Sequence, residues 1–187
     1  MNPSPIIKAF LILAAVGSTL GTALDAIHSH FGALSYPSPL FFQAAAWVPL
    51  LFSGAYGAAI ARPLLARGEP PPPLWKVVLG MGLFIGAYWL TVVPWPWLVR
   101  TAILIAIFLV GFWICDRTWI GLGIAVMTAI GGPVVEIVLV RSGAFVHHEV
   151  HLLGIPGWLP FLYLTAAVGL SGLSRWLVAR LTTNSSG

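Results

Sequence analysis

Residues 118 to 140 read TWIGLGIAVMTAIGGPVVEIVLV, twenty-three residues in which Glu136 is the one charged side chain. At about 1.5 Å rise per residue, such a stretch is long enough to cross the roughly 30 Å of bilayer hydrocarbon as a helix. Working outward, five further stretches share its length and composition. Spans are therefore expected at about residues 8–30, 39–61, 74–93, 95–115, 118–141 and 155–180. The chain has 187 residues, 59% hydrophobic and 7% charged, against about a quarter charged in an average soluble domain. The connections leave no room for a soluble domain. The expected fold is an all-α integral membrane protein, one six-helix membrane domain over residues 1–187.

The charges set an orientation. With the N-terminus inside, Lys8, Arg62, Arg67, Lys76, Arg117, Arg175 and Arg180 lie on the cytoplasmic side and Arg100 and Arg141 outside, which follows the positive-inside bias and puts both termini in the cytoplasm. Arg100 shortens the fourth span and is expected to snorkel to an interface. The net charge of +4 is spread over the loops and makes no nucleic-acid patch. Cys115 is the single cysteine, so no intrachain disulfide forms. The basic, apolar N-terminus mimics a signal peptide but fits the charge count as a retained helix.

Within the spans, Gly17 and Gly21, Gly82 and Gly86, and Gly54 near Gly57 have the spacing that lets helices approach closely in lipid, within the chain or between copies. The segment GEPPPP, Gly68 to Pro73, reads as a stiff extended connector. Trp75, Trp95, Trp97, Trp119 and Trp158 sit at span ends as interfacial anchors. Gly131, Gly132 and Pro133 interrupt the fifth span, where a kink or opening is expected beside Glu136. Irregular backbone and a carboxyl at membrane depth call for a polar niche inside the protein. Glu136 either meets a ligand there or pairs with a residue such as Arg141. An amide in an apolar segment also needs an internal partner, which adds Gln43, with Trp47, to the expected lining. Asp25, His28 and His30 and the segment His147, His148, Glu149 and His151 form a second candidate, an outer cluster able to bind zinc or iron. Its spacing does not fit the zincin motif.

Several segments together carry a family resemblance. FWICDRTWIGLGI, residues 112 to 124, resembles the WWTFDRSRSGLGLGI stretch of the Insig family. AWVP at Ala46 to Pro49 is similar to its WWVP segment. Gly68, Glu69 and Pro70 with Trp75 resemble its GEP turn, and Trp158 to Pro160 with Arg175 resemble its final span. The resemblance runs from about Leu11 to Leu177. Insigs are endoplasmic-reticulum proteins that bind oxysterols in the membrane and hold the escort protein Scap or a sterol-synthesis reductase. The resemblance thus implies a lipid-responsive binding protein without catalysis or cofactor. It also implies a partner-binding role for Asp116, with Arg117 beside it; read from the sequence alone, Asp116 is a carboxylate well placed near a helix start. The family carries a glutamine in the span where this chain offers Glu136. Seven Arg against two Lys, with abundant Ala, Gly and Pro, point to a GC-rich bacterial gene. A bacterial chain would sit in the cell membrane, a eukaryotic one in the endoplasmic reticulum.

The reading that follows is a non-enzymatic intramembrane lipid-binding protein. Its cavity opens to the bilayer, is lined by Gln43, Trp47, Gly132, Pro133 and Glu136, and takes a sterol-like lipid or a neutral one such as diacylglycerol. Homo-oligomers are compatible with the glycine pattern. The alternative is a metal-dependent membrane enzyme built on the outer His, Asp and Glu cluster.

Overall fold

The computed structural model describes residues 4–41 and 43–183. Among them, six helices are long and apolar enough to cross a membrane: α1 (Pro5–His30), α2 (Val48–Leu65), α3 (Leu74–Thr91), α4 (Trp97–Cys115), α5 (Trp119–Arg141) and α6 (Leu159–Thr183). Prolines punctuate their starts. Pro5 and Pro49 occupy first turns, and Pro73 and Pro96 stand immediately before α3 and α4, where a missing N–H costs nothing. Side chains cap two of the starts. Ser4 accepts from the Ile7 N–H, and Thr118 accepts from the Gly121 N–H at 3.0 Å.

The second span departs from expectation. Residues 39–61 were expected to cross, but the helix begins at Val48 and runs on to Leu65. Two short strands precede it, β2 (Pro39–Phe41) and β3 (Ala44–Ala45), paired antiparallel around a turn that holds Gln43 at φ 67°. Pro39 favours extended backbone, and Pro49 favours a helical first turn; together they move the boundary. Two further strands, β1 (Leu34–Ser35) and β4 (Val146–His147), pair antiparallel with Leu34 opposite His147. They tie the first outer loop to the last. With Tyr36, Ala44, Ala45, Val48 and Phe145 these loops form an apolar cap over one end of the bundle. That end is the cap face; the opposite one, where α1 begins and α6 ends, is the terminal face.

Pro133 does not open α5, which runs unbroken from Trp119 to Arg141. Pro133 forfeits one backbone hydrogen bond, and the helix stays continuous across it. The irregular turn lies elsewhere. Gly17–Gly21 of α1 is a π turn, and the Thr19 hydroxyl reaches the carbonyls of Ala15 and Val16. The same glycines receive α2: a Cβ on either would collide with Phe52. Gly82 and Gly86, in contrast, face open space.

Helix α6 is the mast of the bundle, with half of its most apolar window buried, and it touches α1, α2, α3, α4 and α5. Its closest crossing is with α3, where a Cβ on Gly169 would stand 3.0 Å from the Gly80 carbonyl oxygen. Arg100 does not snorkel. It is 9% exposed, because Glu149 descends from the cap to meet it with both carboxylate oxygens at 2.5 Å and the Thr91 carbonyl accepts its other amino group at 2.8 Å. Trp158, expected at the headgroups, is buried beneath the cap and donates to Glu149 at 3.0 Å. Trp75, Trp95 and Trp119 are exposed as anchors should be.

Candidate functional site

The bundle is not filled. Helices α2 and α5 meet where the Ala61–Leu65 end of α2 reaches α5, and above that point a cavity of about 550 Å³ separates them. Leu50 and Val135, on facing helices, both line it and both are exposed, so the cavity opens sideways, toward the apolar surroundings of the bundle. Phe84, Leu162, Ala166 and Leu170 form its back wall. Two carboxylates and two imidazoles line it, and among the described residues no Lys or Arg does.

The polar groups gather under the cap. Glu136 accepts from the Tyr163 hydroxyl at 2.6 Å through one oxygen and bonds His147 Nε2 at 2.8 Å through the other. His147 is placed there because β4 pairs with β1. Its Nδ1 is buried with no partner among the described residues. Asp25 accepts from the Tyr36 hydroxyl at 2.8 Å through Oδ2. Burial, followed by the neighbouring Asp25 charge, pushes the Tyr36 phenol well above its ordinary range, so it stays an O–H donor. His28 Nε2 lies 2.7 Å from the Thr91 hydroxyl, which itself donates to the Tyr88 carbonyl at 2.6 Å. The Thr91 proton is thereby committed, and His28 Nε2 is the donor in the first bond.

The structure sorts the expected site residues. Trp47, Gly132 and Glu136 line the cavity. Gln43 does not; it is exposed in the β2–β3 turn because the helix starts after it. Pro133 is buried in α5 but is not part of the lining. Glu136 pairs with His147 and Tyr163 rather than Arg141. Gly132 matters through what it lacks, since a Cβ there would strike the Tyr163 ring. Its bareness lets that hydroxyl reach Glu136. Tyr163, Tyr36 and Tyr88 were not anticipated; tyrosines are common at span ends and their sequence positions give no sign of convergence.

The outer cluster does not converge as a metal site would. His28 turns to Thr91, His147 to Glu136, and His151 lies tilted against the Trp97 ring with its Nε2 3.8 Å from Glu149. Among the described residues no group of three or more His, Cys, Asp or Glu side chains is arranged to hold a metal ion.

At the terminal face a second site closes the bundle. Arg62, 0% exposed, donates through Nη2 to Glu69 at 2.8 Å, Asp116 at 3.1 Å and Thr118 at 2.8 Å. Arg175 stands 3.3 Å from Glu69 and 3.8 Å from Asp116 and donates to the Pro70 carbonyl at 2.6 Å. Asp116 is thus enclosed, its side chain 5% exposed, whereas Arg117 is exposed, at φ 62°, with its guanidinium over the Trp113 ring. A Cβ on Gly121 would collide with the Asp116 carboxylate, which gives the GLG run a steric reason.

Comparison with known proteins agrees with this architecture. No protein-family model and no curated protein matches the chain. Solved structures do. A cross-linked trimer of MvINS superposes with a TM-score of 0.85 at 24% identity, covering 93% of this chain and 96% of that one. MvINS itself, a mycobacterial Insig homologue from Mycobacterium vanbaalenii, superposes with a TM-score of 0.82 at 26% identity over the same shares. The six spans and the likeness along nearly the whole length lead to one conclusion: this chain is an Insig-like integral membrane protein of the bacterial type.

Proposed function

We propose that the protein is a non-catalytic binder of a neutral membrane lipid, sterol-like or a diacylglycerol, which enters between α2 and α5 and turns its head toward the cap. The observation that carries this reading is the excess of acceptors at the polar end of an otherwise apolar cavity. Among the described residues, Asp25 Oδ1 receives no hydrogen bond, His147 Nδ1 has no partner, and no cation lines the space. A head that donates hydroxyl protons completes these groups; a phosphate or free carboxylate would face two carboxylates in a low-dielectric site. The volume lies within the usual range for small-molecule sites.

Location and assembly follow from the same reading. The bias of basic residues favours a cytoplasmic terminal face in a bacterial cell membrane. Partner contact is assigned to the turn at Asp116 and Arg117, Arg117 touching the partner and Asp116 shaping the turn through Arg62. The trimeric state of MvINS favours a homo-oligomer here too.

The test is native mass spectrometry of the detergent-purified protein, with extraction of bound lipid. The wild type should retain about one neutral lipid per chain. Glu136→Leu, which removes the carboxylate that holds His147 with its Nδ1 open to the head, should lower retention roughly tenfold or more. Equal retention by the variant would remove Glu136 from the site, and no bound neutral lipid in either would sink the proposal.

A further inference from the structure

Beyond the lateral cavity, the terminal face holds a second pocket of about 350 Å³, lined by Lys76, Arg175, Asp116, Thr118, Glu69 and the Pro70–Pro73 run, with Cys115 at its wall. Its charge balance is incomplete. Arg175 and Lys76 line it with Glu69 and Asp116, and Arg62, buried behind the two carboxylates and outside the lining, brings the cluster to three cations against two anions. Both carboxylates are engaged by the two arginines. Lys76 has no carboxylate partner among the described residues, and its ammonium lies 5.5 Å over the Trp75 ring. A pocket whose surrounding cluster carries one uncompensated positive charge, with the Lys76 ammonium in its lining, is matched to a monoanion rich in acceptor oxygens.

Its position identifies the source of that anion. The pocket lies where α3 begins and α4 ends, beside the turn of α6 that carries Arg175, and its lining residues Lys76 and Thr118 adjoin the exposed Trp75 and Trp119. Indole rings settle at headgroup depth. The start of α5, capped by Thr118, adds the positive end of a helix dipole. The Pro70–Pro73 run is held by Arg175 and cannot fold inward to fill the space.

We propose that this pocket binds the phosphate of an anionic phospholipid from the leaflet on the terminal face, with Lys76 and Arg175 as its direct cationic contacts and Arg62 holding Glu69 and Asp116 aside. The site is separate from the lateral cavity, which has no cation in its described lining and takes a neutral head.

The experiment places the full chain in nanodiscs of phosphatidylcholine with a minor fraction of phosphatidylglycerol, then counts lipids kept on release into the mass spectrometer. The wild type should keep one phosphatidylglycerol per chain. Lys76→Gln, which breaks no ion pair among the described residues, should keep about fivefold less, the contribution of one lysine near a charged headgroup. Arg67→Gln, exposed on the same face and outside the pocket, should behave as wild type. Equal losses in the two variants would reduce the effect to general surface charge, and no loss in Lys76→Gln would remove the site; either overturns the proposal. Displacement of the lipid by millimolar inorganic phosphate would overturn the lipid as the source while leaving a phosphate site. Loss of a co-purifying acidic protein from Lys76→Gln, with lipid retention unchanged, would assign the pocket to a protein partner instead.

Discussion

Arg62 illustrates what a single side chain can conceal. In the sequence it is one of several basic residues near a span end, and the positive-inside rule accounts for it fully. In the structure it is buried and joins the end of α2 to the start of α5 through Asp116 and Thr118. Removing one member of a buried ion cluster leaves the others unpaired, a cost of about 3–5 kcal/mol. Arg62→Gln should therefore lower the unfolding midpoint markedly, whereas Arg117→Ala, in an exposed position, should shift it little. Thermal unfolding in one detergent compares them directly, and equal midpoints for Arg62→Gln and wild type would contradict the latch. Glu136 was recognisable from the sequence because a carboxyl in lipid must be accounted for. Its partners were not, since Tyr163 and His147 reach it only once α6 and the cap are in place.

For the helices, hydropathy was enough to count the spans, and five of the six lie within a few residues of expectation. The second slipped because residues 39 to 47 are apolar enough to pass for membrane helix while Pro39 favours extended backbone and the chain there forms a hairpin. Local glycine spacing was a partial guide. Gly17 and Gly21 receive Phe52 as a packing motif should, but the close crossing of α3 with α6, Gly80 with Gly169, joins residues far apart in the chain and leaves no local pattern. Gly169→Leu should thus force α3 and α6 apart at a cost of about 1–3 kcal/mol, while Gly82→Leu, with open space at its Cβ, should leave the bundle's stability unchanged. Resistance to unfolding in a denaturing detergent series would rank the two. Pro133 bears on the same scale: since α5 is continuous through it, Pro133→Ala should preserve the fold and the midpoint or raise it slightly. A large loss of stability would mean that packing of the buried proline ring, beyond helix continuity, holds α5 in place.

Across the whole molecule, two ion clusters hold the ends and leave the middle open. Arg100 and Glu149 fasten the cap to α4, while Arg62, Glu69, Asp116 and Arg175 fasten the terminal face. Between them α2 and α5 are separated by the cavity. Arg100→Gln should release the 144–158 loop, with Trp158 losing the Glu149 position that it bonds. Hydrogen exchange should rise in that loop and in β1, its strand partner, before it rises in α3 or α6. Unchanged exchange in the loop would show that the apolar cap holds without the ion pair.

The place of α6 has a consequence for how the chain is made. Every other span leans on this helix, yet it is the last of the six to leave the ribosome. Until it arrives, α1 can pack on α2 and α3 on α4, but the surfaces they will share with α6 are still facing lipid. Gly80 waits for Gly169, and Glu136 waits for Tyr163, the second of its two partners. For that interval the nascent protein is an inserted but incompletely assembled set of helices, open to insertion chaperones and membrane proteases. Maturation is completed late, when the sixth span enters.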